Sequence, residues 1–115
     1  MEFTHQGASW SGHKDKSGVE WLGNEAEQKA MKADFDKAAT WAKENNRPVF
    51  VGEFGAYDKA PMESRVRYTD AVARVAESLG WSWAYWQFDS DFILYDIKRD
   101  AWVEPIRDAL VPPKK

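Results

Sequence analysis

The sequence predicts an α/β fold with parallel strands, and three observations carry that prediction. Short apolar runs rich in β-branched and aromatic residues, PVFVGEF from Pro48 and SWAYWQF from Ser82, are bounded by Pro and Gly and read as strands. The segment between them has helical spacing and enough length to be a crossover, which returns the chain to the same end of a sheet and makes the two strands parallel. Helical segments also precede the first run and follow the second, so helix and strand alternate.

Phe3 to Gly23 is rich in Gly, Ser and His, shows neither period, and reads as a long connection. Asn24 can cap the free amides of a helix, with Glu27 completing a capping box, and Ala30, Ala38, Trp41 and Ala42 continue it until Asn45, Asn46 and Pro48 stop it. Pro48 to Phe54 then forms a strand whose composition suits burial on both faces. Pro61 suits a first helical turn, and Val66, Val72, Ala73, Ala76 and Leu79 space out a second helix closed by Gly80. Ser82 to Phe88 is the second strand, DSDFILYDIKRDA is an acidic loop, and a last helix runs from about Trp102 to Leu110 before Pro112 and Pro113. Two strands leave a sheet with open edges, and Phe3-Thr4 is the one further stub that could join it. The expectation is therefore a single segment, residues 1–115, of a larger α/β fold.

Composition narrows the function classes. With 115 residues, 43% hydrophobic and 30% charged, the chain is an ordinary packed domain rather than a disordered or fibrous one. Its 16 basic and 19 acidic residues give a net charge of -3, which offers no field for phosphates or anionic lipid, so neither nucleic acid nor a membrane is expected as partner. The absence of cysteine removes thiol and Cys-zinc chemistry. No stretch approaches the roughly eighteen apolar residues of a membrane span, and Met-Glu-Phe-Thr-His lacks the marks of a signal peptide. What stands out is seven Trp, several in polar, Gly-containing stretches. Flat apolar faces in polar surroundings are what sugar rings stack on.

Strand alternation puts Val49, Val51 and Glu53 on one face, with Glu53 at the C-terminal end where ligands of parallel sheets bind. Such a Glu can also simply emerge into solvent, but the flanking Gly52 and Gly55 allow close approach to the backbone. On the second strand Ser82, Ala84, Trp86 and Phe88 share a face, which sets Trp86 either in a core or at the rim beside Glu53. Asp89, Asp91 and Asp96 could suggest a cation site but fit solvated or capping acids, and His5 and His13 lack a third ligand; no cofactor or metal is expected.

FTHQGASW (3–10), PVFVGEFGAY (48–57), GWSWAYWQFDSDFILYD (80–96) and WVEPIRDAL (102–110) together resemble glycoside hydrolase family 5, the cellulase-type (β/α)8 barrels, in order and at matching spacing. The resemblance implies a run from the end of barrel strand six to helix eight: the C-terminal portion of a TIM barrel, incomplete as a barrel on its own. It implies that Glu53 is the nucleophile of a retaining endo-β-1,4-glucanase, that Trp86 floors the subsite at the cleaved bond, and that His5 and Trp10 border the leaving-group side. Retaining hydrolysis uses two carboxyl groups roughly 5 to 5.5 Å apart. The family's acid lies in an Asn-Glu-Pro motif after strand four, which neither Asn24-Glu25-Ala26 nor Val103-Glu104-Pro105 matches in context. The implied partners are a β-glucan or related polysaccharide and a complementing N-terminal barrel half, and the implied location is extracellular. Two other readings stay open: a non-catalytic carbohydrate-binding module, and a folding unit that self-associates through its strand edges.

Overall fold

The computed structural model describes residues 2–114. In chain order it contains α1 (Glu2–His5), α2 (Glu25–Asn45), β1 (Phe50–Val51), α3 (Met62–Ser78), β2 (Ser82–Trp83), β3 (Tyr95–Asp96), β4 (Ala101–Trp102) and α4 (Glu104–Leu110). β1 and β2 pair in parallel, Phe50 opposite Ser82 and Val51 opposite Trp83, as a helical crossover requires.

The helices form where the sequence places them. Asn24 accepts from the Glu27 amide at 3.0 Å while Glu27 accepts from the Asn24 amide at 3.1 Å, and Asn46 closes α2 in the left-handed conformation. α3 buries Arg65, Thr69, Val72, Ala73 and Ala76, a single stripe at helical spacing. That stripe meets Ile106 and Leu110 of α4 and Phe54, which follows β1, to make the main core. Arg74 fastens the end of α4 by donating to the Leu110 carbonyl at 2.9 Å.

The strands differ from expectation. The ladder covers two residues of each predicted run, and Phe50 is 63% exposed, so β1 is buried on one face only. Past the ladder Ala84 N–H donates to the Val51 carbonyl and Trp86 N–H to the Phe54 carbonyl, so two residues of one strand span three of the other. One extra residue on the β1 side is a bulge-like slip that breaks the alternation. Val51 and Phe54 both pack into the helix-side core, and Val51 and Glu53 line one cavity.

Two predicted loops hold more structure than expected. Phe3-Thr4 belongs to a helical turn rather than to a strand stub, and both residues are buried. The connection after it is pinned by Gln6, whose fully buried amide donates to the Val19 carbonyl at 2.8 Å and accepts from the Val19 amide at 2.9 Å. Trp21 completes a second core with Phe3, Ala56 and Ala60. The acidic loop contains the antiparallel hairpin of β3 and β4, with Phe88, Tyr95 and Trp102 gathered at close ring contact. Trp102 is thus in a strand, and the last helix begins at Glu104. Among the described residues, no helix is long and apolar enough to cross a membrane.

Candidate active site

Beyond the C-terminal ends of β1 and β2 lies an open cavity of about 940 Å³ whose lining includes Glu53, Trp86, His5 and Trp10. All four residues singled out in the sequence therefore face one space. Glu53 is exposed there, one residue before the buried Phe54 that anchors the strand end. Trp86 is 43% exposed and makes the last strand-to-strand hydrogen bond through its amide, and its peptide with Gln87 is cis.

Gly55 has a different task from the one its position suggests. A Cβ there would lie 2.2 Å from the Trp86 carbonyl oxygen, so glycine admits the neighbouring backbone, not a ligand. Gly52 meets only the Phe50 ring, at ordinary contact distance. The pair of strand ends that carry Glu53 and Trp86 is held close by this one missing methyl.

His5 and Trp10 enter the cavity from α1 and the turn after it. His5 shares a 2.8 Å hydrogen bond with Thr4 through Nδ1 and meets the Trp10 ring edge-on at 5.4 Å. Burial, and secondarily the charge of His13, lowers the His5 pKa below its usual 6.5, which favours the neutral imidazole. Trp10 itself is 60% exposed. The segment is positioned by Tyr57, whose amide donates to the Thr4 carbonyl at 2.9 Å.

Phe92 of the cavity wall, and Tyr57 packed against it, were missed in the sequence. Phe92 lies 5.9 Å from His5, 6.3 Å from Trp10 and 5.7 Å from Tyr57, ring to ring, and so stands at the centre of the aromatic wall. It sits in the run that reads as an acidic loop, and nothing in that run's spacing marks it. Tyr57 stands two residues after GEFG, which was an available signal. Burial raises its pKa, with the carboxylates of Asp91 and Asp58 adding to the effect, so its hydroxyl stays neutral.

Two further carboxylates, Glu27 and Asp34, reach the cavity from α2. Glu27 is engaged by the amides of Leu22 and Asn24, and Asp34 pairs with Lys37 at 2.9 Å. Glu25 and Glu104 lie in the first turns of their helices and are not in the cavity wall. Among the described residues no cluster of three or more His, Asp or Glu side chains gathers to hold a metal ion. Asp96 instead accepts from the Arg99 amide in the hairpin turn.

A strand-end carboxylate in an aromatic-walled cleft, at the ends of parallel strands packed on helices, stands where folds of this class place their ligand sites. Residues 2–92 match the family described as Cellulase (glycosyl hydrolase family 5), and the chain belongs to that family. It is 26% identical to Endoglucanase 3 of Fibrobacter succinogenes over 139 residues, covering 94% of this chain and 21% of that protein. It superimposes on Cel5A of Thermotoga maritima in complex with cellobiose with a TM-score of 0.92 and 44% identity, covering 96% of this chain and 36% of the other. The mannotriose complex of the same Thermotoga protein gives a TM-score of 0.91 at 44% identity, again over 96% of this chain and 36% of the other. The chain thus spans about a fifth of the first relative and about a third of the solved structures. Its fold is the C-terminal portion of a (β/α)8 barrel, in which parallel strands alternate with helices and do not close on themselves.

Proposed function

We propose that the chain is the nucleophile-bearing segment of a retaining endo-β-1,4-glucanase. The observation that carries this reading is the convergence of Glu53, Trp86, His5 and Trp10 on one cavity at the C-terminal ends of parallel strands. In the proposed reaction the Glu53 carboxylate attacks the anomeric carbon, the glycosidic oxygen leaves as it takes a proton, and water then hydrolyses the glycosyl ester. Trp86 stacks under the sugar at the cleaved bond, while His5 and Trp10 border the leaving group. Its depressed pKa suits His5 to hydrogen-bonding a sugar hydroxyl as a neutral ring.

The reading assigns the general acid to another segment. Glu27 and Asp34, the other carboxylates in the cavity, are committed to helix capping and to Lys37. An acid is commonly worth about 10² to 10⁴ in rate. The isolated chain is therefore expected to be nearly inert on cellulose, and a complementing N-terminal barrel half, added at the open edge of β1, is its proposed partner. The complexes of its structural relatives with cellobiose and mannotriose support β-linked glucan or mannan as the substrate class, and the family resemblance alone suggests that it acts outside the cell. A dinitrophenyl cellobioside, whose leaving group needs no proton, tests the assignment. Slow dinitrophenol release that disappears in Glu53→Gln supports it, and release that survives the substitution refutes it.

A further inference from the structure

Arg65 is 3% exposed, yet its guanidinium faces no carboxylate in an ion pair among the described residues, and its Nε has no hydrogen-bond partner. A buried cation without a counter-charge is costly and persists where its hydrogen bonds hold something specific. Here the held object is one short stretch of chain. Nη2 of Arg65 donates to the Ile93 carbonyl at 3.5 Å. The Tyr85 hydroxyl donates to the Phe92 carbonyl at 2.7 Å, and the Asp58 amide donates to the Asp91 carbonyl at 2.8 Å. Three consecutive carbonyls are thus gripped from three different elements, and the middle one belongs to the residue at the centre of the aromatic wall.

We propose that Arg65, acting with Tyr85, is a positioning residue of the sugar cleft: it clamps Asp91–Ile93 and thereby fixes the Phe92 ring against His5, Trp10 and Tyr57. The planar guanidinium, fixed in direction at the end of its stem, suits holding the Ile93 carbonyl from a buried position, which a lysine ammonium on its flexible stem does less well. The clamp rests on the reading of the cavity as a sugar cleft, and it lies behind the wall rather than in it, so Arg65 touches no substrate.

Hydrogen exchange by mass spectrometry and fluorescence titration with cellotetraose test the proposal on the chain and on its Arg65→Met, Arg65→Lys and Tyr85→Phe variants. Arg65→Met is expected to speed exchange about tenfold at 87–94 while leaving Val72–Ser78 unchanged. It is expected to weaken cellotetraose binding by about tenfold as well. Tyr85→Phe should act at the same place to a lesser degree, and Arg65→Lys should recover part of the loss. Unaltered exchange at 87–94, or equal loosening through Val72–Ser78, overturns the clamp. Local loosening with unchanged affinity overturns the positioning role alone, and failure of the unaltered chain to bind cellotetraose overturns the sugar reading of the cleft instead.

Discussion

Gly55 couples the two strand ends that carry Glu53 and Trp86. Because a Cβ there would stand 2.2 Å from a backbone oxygen, no rotamer change can relieve the clash and the strands must separate. Gly55→Ala is expected to cost about 1–3 kcal/mol in denaturant unfolding and to shift the tryptophan emission as Trp86 moves. His5 gives a second test at the same scale. Its folded pKa lies below the unfolded 6.5, so between the two values the unfolded chain holds more protons. Stability is therefore complete above about pH 6.5 and declines as the pH falls toward the folded midpoint. An NMR titration of His5 should show a midpoint below 6.5, and His5→Gln should remove that part of the acid sensitivity.

At the scale of elements, most of the helices were legible because their signals are local. The capping box of Asn24 and Glu27, the helical stripe of α3 and the stop at Gly80 are all contained within a few residues of sequence. Asn24→Ala should lower stability by about 1 kcal/mol, with the first turn of α2 exchanging faster and α3 unaffected. The strands were legible as apolar runs, but the slip between Val51 and Phe54 was not, since it arises from pairing with Ala84 and Trp86, which no spacing within one run reveals. The hairpin of β3 and β4 was hidden for a similar reason. Its charged residues sit in the turn and its aromatic cluster forms only when Phe88, Tyr95 and Trp102 meet. Of the candidate site, Glu53, Trp86, His5 and Trp10 were readable from strand position and family resemblance, whereas Phe92 depends on tertiary packing against three separate segments.

At the scale of the whole molecule, the two-stranded parallel sheet is the feature with the widest consequence. β1 has β2 on one side only, and Phe50, Trp41, Phe88 and Trp102 are exposed. Open edges and uncovered apolar side chains favour association. Size-exclusion chromatography across concentrations is expected to show a species larger than a monomer that grows with concentration; a monomer with a concentration-independent melting transition contradicts that expectation. The nucleophile role proposed for Glu53 is the step on which the proposed function depends. Incubation with a 2-fluoro cellobioside bearing a good leaving group, followed by peptide mass spectrometry, tests it most directly, because a trapped ester marks the attacking oxygen without needing the general acid. A covalent 2-fluoroglycosyl adduct on Glu53 that is absent in Glu53→Gln is expected; an adduct on another carboxylate, or one that persists in Glu53→Gln, would contradict the nucleophile role.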